Sequence, residues 1–193
     1  GWKDSRPVRI GNGAWSQRQI DVYGELLGAA AQLSEQIDTI DEDTRNFLIA
    51  CAETAATEWT QKDQGIWEVR GDPQHFVYSK VMCWVALDRA IALADLLRAS
   101  DRADRWKQQR EEIWDTIVRD SWSEEAGAFT QYVGSTALDA SNLMMAIVGF
   151  THTQADIIPP PTDPYKPNDN VVLTPFSGFW GGAITDNIGA FAQ

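Results

Sequence analysis

The sequence predicts an all-α protein in which inner and outer helices alternate in a double layer. Three observations carry the prediction. Helical patterns follow one another with almost no strand alternation between them. Their apolar content switches between a single stripe and nearly the whole circumference, and their starts recur about every thirty residues, as in helical hairpins wound side by side. The repeat is one of architecture, since no motif recurs.

The first helix is expected over about residues 16–33, opened by Ser16 with Gln19 three positions on as a capping box, and carrying Ile20, Tyr23, Leu27 and Ala30 on one face. The second spans about 41–60, with Phe47, Leu48, Cys51, Ala52, Ala55 and Trp59 as its stripe and acids opposite, so one face meets water. The third starts at Asp72 as N-cap with Pro73 at the first helical position, and is apolar nearly all round from Phe76 to Leu97, which demands burial on most sides. The fourth, about 101–119, is dense in charge and keeps a narrow stripe of Trp106, Ile113, Trp114, Ile117 and Val118, the mark of an outer helix. The fifth, about 137–148, reads "ALDASNLMMAIV" and belongs inside.

Alternation of layers has a geometric consequence. Every outer-to-inner connection lies at one end, so loops 1–15, 61–72 and 120–136 are expected on one face. Those loops hold Trp2, Arg6, Arg9, Trp15, Trp67, Glu68, Arg70, Trp122, Phe129 and Tyr132, while the connections at the other end, near 35–40 and 99–101, are short and plain. Aromatic rings, guanidinium groups and a carboxylate suit a polyhydroxylated ligand, the rings covering apolar sugar faces and the charges bonding hydroxyls.

Composition limits the partners. The 193 residues are 44% hydrophobic and 23% charged, with nine Trp, ordinary globular material for one domain or a large part of one. A net charge of −12 argues against nucleic acid, because phosphate backbones are bound by clustered Lys and Arg, and the 16 here are dispersed among more acids. Residues 81–97, the longest apolar region, are interrupted by Asp88, Arg89 and Asp95, which would be costly in hydrocarbon; no membrane partner is expected. Cys51 and Cys83 lie within helical patterns and read as small core residues. Few cysteines and no visible export pattern point to the cytoplasm, although the opening stretch "GWKDSRPVRIGNGAW" reads like an interior loop.

One short segment, "GIWEVRG", sets a single carboxylate, Glu68, between a Trp and an Arg in the loop before the third helix. Two ordinary duties are open to it: pairing with Arg70, or favouring the start of the next helix through its dipole. Trp67 and His75 have equally ordinary readings as packing residues.

The wider context offers another. "GIWEVRG" followed by "HFVYSKVMCWVALDRAI", preceded by "SRPVRIGN" and "QIDVYGELL" and followed by "ALDASNLMMAIVGF", resembles glycoside hydrolase family 15, the glucoamylase-like and trehalase-like enzymes, over roughly residues 1–150. The resemblance implies part of an (α/α)6 toroid, with the active site at one end and an α-glucoside or oligosaccharide as substrate. It implies Glu68 as general acid, Ile66, Trp67 and Arg70 lining the sugar site, and Trp2, Arg6 and Arg9 in a loop that approaches substrate. No metal or organic cofactor belongs to that chemistry, in which one carboxylic acid protonates the glycosidic oxygen and a second carboxylate activates water. A wall formed by Trp67 and other apolar groups is expected to desolvate Glu68 and raise its pKa, and Arg70 to point at sugar hydroxyls.

After Phe150 the sequence departs from the family pattern. Residues 151–193 run through "ADIIPPPTDPYKPNDN" into a Gly-rich tail, in which Asp163, Asp169 and Asp186 sit in no matching motif, so no general base is expected within this chain. The expected function is therefore a portion of an inverting, exo-acting α-glucosidase, inactive by itself, whose incomplete toroid leaves an apolar edge exposed. The alternatives are another toroid hydrolase of α-linked sugars, or a helical scaffold or carbohydrate-binding remnant without catalysis.

Overall fold

The computed structural model describes residues 2–4, 11, 13–36 and 39–150, without the side chains of Trp2 and Glu35. Arg6, Arg9 and the whole 151–193 tail therefore lie outside the described residues. Five α-helices are present there: α1 Val22–Leu33, α2 Glu42–Glu58, α3 Val77–Ala92, α4 Ala103–Ser121 and the single turn α5 Met144–Ile147. The only sheet among the described residues is a two-residue antiparallel pair, β1 Trp122–Ser123 with β2 Ala128–Phe129. The fold class is all-α, as the sequence predicts.

α3 is the centre of the molecule. Every residue from Val77 to Leu87 is buried, and α1, α2, α4 and α5 all pack on it. The two helices predicted to be outer behave so. α2 buries Leu48, Cys51, Ala52, Ala55 and Ala56 and leaves Glu42 and Asp43 exposed, while α4 buries only Trp106, Ile113, Ile117 and Ser121. Both cysteines are free and buried. α1 crosses α3 so closely that a Cβ on Gly24 would lie 2.2 Å from the Met82 carbonyl oxygen, a gap only glycine fits. Its far side is unpartnered among the described residues: Val22, Leu26 and Leu33 are all exposed, the apolar edge expected of an inner helix short of a neighbour.

The helix starts depart from the sequence prediction in three places. Residues 17–19 are not helical, and α1 begins at Val22, because the amides of Gln17 and Gln19 bond to the 64–69 loop instead of closing a capping box. Asp72 and Pro73 do not open α3. Gln74 bridges Asp63 and Phe76 bridges Tyr132, so the chain stays extended until Phe76, the N-cap at ψ 130°. The fifth pattern holds a 3-10 turn, Ala140–Leu143, before α5, and its cap is Asp139. The start of α2, by contrast, is the one expected, with the Asp41 side chain accepting from the Thr44 N–H.

Candidate active site

Two of the three connections expected to converge do so around the 61–76 segment. The chain leaves α2 at Trp59, and buried Lys80 donates from α3 to the carbonyls of Trp59 and Gln61, placing a cation at the α2 C-terminus. Asp63, 1% exposed, then fixes the loop base: its backbone exchanges both hydrogen bonds with Gln74, and its carboxylate accepts from the Ile20 N–H at 3.3 Å. Burial raises the Asp63 pKa against the backbone hydrogen bond from the Ile20 N–H, and burial depresses Lys80.

Above this base the loop turns sharply. Gly65 adopts φ +66° with its α-carbon against the Phe76 ring, where any side chain would collide. Glu68 follows at φ +51°, a left-handed conformation that costs a residue with a Cβ on the order of 1–3 kcal/mol and gathers at functional sites. The segment before α1 holds it there. Gln17 Nε2 donates to the Glu68 and Val69 carbonyls at 3.3 and 3.1 Å, Gln19 Nε2 to Gly65, and Arg18 and Gln64 exchange two bonds.

The result presents Ile66, Trp67, Glu68 and Arg70 to solvent together, at consecutive exposed turns of one loop. Neither ordinary duty of Glu68 is filled. Among the described residues its carboxylate makes no ion pair with Arg70, and α3 starts at Phe76 with no side-chain cap. Nor do the described residues enclose it in an apolar wall, contrary to expectation, because Trp67 is 59% exposed and turns its indole N–H to Asp139. Arg70 is exposed on the same loop.

The indole N–H of Trp67 meets both oxygens of Asp139, at 2.9 and 3.1 Å, across from the third connection. That connection is anchored to the loop's end by the Phe76–Tyr132 bridge, an edge-on contact of their rings at 5.7 Å, and the Val133 N–H bonding to the His75 carbonyl. Trp122 packs edge-on against Phe129 across the β1–β2 pair that leads into it. His75 is a packing residue here, half-buried, with burial depressing its pKa. Trp2 falls in a short 3-10 turn, Trp2–Asp4, and its side chain lies outside the described residues.

Asp139, Gln131 and Gln17 carry no functional reading in the sequence, and Gln19 reads there only as a capping-box residue. Asp139 carried a usable signal: an Asp just ahead of a helical run is a cap, and a cap marks the loop side of a boundary. Among the described residues no group of His, Cys, Asp and Glu converges as a metal site, and no helix is long and apolar enough to cross a membrane.

Comparison with known proteins covers most of the chain. The family model described as "Glycosyl hydrolases family 15" matches residues 1–165. The chain belongs to this family. It is 41% identical over 164 residues to a trehalase of Mycobacterium tuberculosis, covering 85% of this chain and 23% of the relative. A trehalase of Mycolicibacterium smegmatis is 43% identical over 151 residues, 78% of this chain and 22% of the relative. One of Thermoplasma acidophilum is 37% identical over 150 residues, 78% and 26% respectively. The chain thus spans between 22% and 26% of the length of these family 15 relatives. No solved structure matches.

Proposed function

We propose that this chain is part of an inverting, exo-acting hydrolase of α-glucosidic bonds, of the trehalase type within family 15, with Glu68 as its general acid. The observation that supports the reading is the state of Glu68 itself: a strained left-handed backbone, clamped by Gln17, presenting a carboxylate with no partner among the described residues. The relatives' printed names favour trehalose as substrate over longer glucans.

In this mechanism Glu68 donates its proton to the glycosidic oxygen as the bond breaks, and a second carboxylate takes a proton from the water that attacks the opposite face of the ring. The two carboxyl groups of an inverting site stand roughly 6.5–9.5 Å apart to admit that water. Ile66 and Trp67 cover the sugar's apolar surface and Arg70 bonds its hydroxyls, with Trp2, Arg6 and Arg9 approaching from the preceding loop. The second carboxylate is assigned to sequence outside this chain. Water and two carboxyl groups complete the reaction without a cofactor.

The test is the first-formed anomer. The complete reading frame containing this chain, given maltose or trehalose in an NMR tube, should release β-glucose from the attacked glucosyl unit before mutarotation mixes the products. Release as α-glucose would refute inversion. Absence of hydrolysis on trehalose, maltose and maltooligosaccharides, with sugar binding retained, would favour the second reading of a carbohydrate-binding remnant.

A further inference from the structure

Trp67 poses a problem that its hydrogen bonds solve. An indole 59% exposed has too little packing around it to fix its plane, and a loose ring makes a poor surface for a sugar. Its N–H, however, is shared between the two oxygens of Asp139 at 2.9 and 3.1 Å. Asp139 is itself immobilised: Oδ1 accepts from the Ser141 N–H at 2.8 Å and the Ser141 hydroxyl at 2.7 Å, and Oδ2 accepts from Gln131 Nε2 at 3.0 Å. Behind it, Asn142 Nδ2 bonds to the carbonyls of Phe129 and Thr130, tying the 3-10 turn to the end of β2.

We propose that Asp139 is a positioning residue that sets the plane of the Trp67 ring, and through it the sugar-facing surface beside Glu68. The inference rests on reading that loop as a glycoside site. The carboxylate's own saturation excludes a direct part in the chemistry. Its two oxygens offer about four lone-pair sites, and the Trp67, Gln131 and two Ser141 donors occupy them, leaving none to activate a water. Burial would raise its pKa, but the bonds from Ser141, Trp67 and Gln131 outweigh burial and hold it below the ordinary carboxylate range, so the acceptor stays charged and the bond to Trp67 charge-assisted. The clamp also joins two connections that lie 72 positions apart in sequence, so that the hairpin end fixes a residue adjacent to the general acid.

Two measurements test this, and only the second depends on catalysis. In the 193-residue chain, the Trp67 indole resonance is assigned among the nine Trp by its loss in Trp67→Phe. Asp139→Ala should move that proton upfield toward the free-indole position, while Asp139→Asn, which keeps an acceptor oxygen once Gln131 turns its amide, should hold it near its native position. The other indoles report whether each variant is folded. Trp67→Phe cuts the same bond from the exposed end, and it should raise the Asp139 pKa by removing a donor. An unmoved indole in folded Asp139→Ala, or an unmoved Asp139 pKa in Trp67→Phe, would overturn the clamp.

In the complete reading frame, Asp139→Ala should lower kcat/KM on trehalose about tenfold to a hundredfold, mainly through KM, as expected for a misplaced contact surface. Asp139→Asn should recover most of it, and Trp67→Phe combined with Asp139→Ala should lose no more than either alone. Equal collapse of kcat in Asp139→Ala and Asp139→Asn would make Asp139 a reacting carboxylate and overturn the positioning role. Wild-type inactivity on every α-glucoside, with the resonance shifts as predicted, would sink the catalytic reading and leave the clamp supported.

Discussion

Glu68 holds a conformation that its own chemistry disfavours, and the surrounding residues keep it there. A left-handed backbone costs an L-residue about 1–2 kcal/mol, whereas glycine enters it freely and gives up roughly 0.5–1 kcal/mol in chain entropy. Glu68→Gly is therefore expected to leave stability unchanged or raise it by up to about 1 kcal/mol, read by urea unfolding, while removing the acid; a loss above about 1 kcal/mol would mean that the side chain has a structural duty. Local sequence made Glu68 and Trp67 visible, because their neighbours carry a family pattern. It did not make the strain visible, since Glu has no preference for φ above zero, nor the partnership of Trp67 with Asp139, which exists only once α3 and the hairpin are packed. The segment 16–19 reads as a helix start because the Gln19 amide fits a capping box with Ser16 as well as it fits the Gly65 carbonyl it actually meets, and Gln17 falls within that span.

Among the elements, the two outer helices with one amphipathic stripe were legible. α2 and α4 lie close to their predicted spans, and the charges on them do more than solvate. Glu53 of α2 receives Arg102, Arg105 and the Trp106 indole from the start of α4, the last at 3.1 Å. Burial alone would raise the Glu53 pKa, yet the hydrogen bonds from Arg102, Arg105 and Trp106 leave it lowered from 4.5. A carboxylate depressed in the folded state contributes stability above its unfolded pKa and loses it as pH falls through the folded value. Stability should thus decline below about pH 4.5, and Glu53→Gln should flatten that part of the profile in a urea series across pH 3–6; an unaltered slope would show that the α2–α4 clip is not the sensitive group. The start of α3 was misplaced for the opposite reason. Asp72-Pro73 is a sound local cap signal, but bridges from Gln74 to Asp63 and from Phe76 to Tyr132 keep the backbone extended, and tertiary pairing overrode local preference.

At the scale of the molecule, the double layer could be read from alternating apolar content alone, because an inner helix must be apolar on most sides and an outer one cannot be. α3 satisfies that demand fully. α1 satisfies it on the Gly24 side and leaves Val22, Leu26 and Leu33 uncovered, in a chain spanning 22% to 26% of its relatives' length. The same layering brings the 61–76 and 122–139 connections to one end, where Glu68, without an ion pair among the described residues, stands beside a Trp67 hydrogen-bonded to Asp139. The central claim is that Glu68 delivers the proton to the glycosidic oxygen. Its most direct test is the turnover of trehalose by the complete reading frame carrying Glu68→Gln, which keeps the side chain's shape and cannot give up a proton. A fall in kcat of roughly a hundredfold to ten-thousandfold, with sugar binding retained, is the predicted result, and turnover equal to that of the unaltered protein would contradict it.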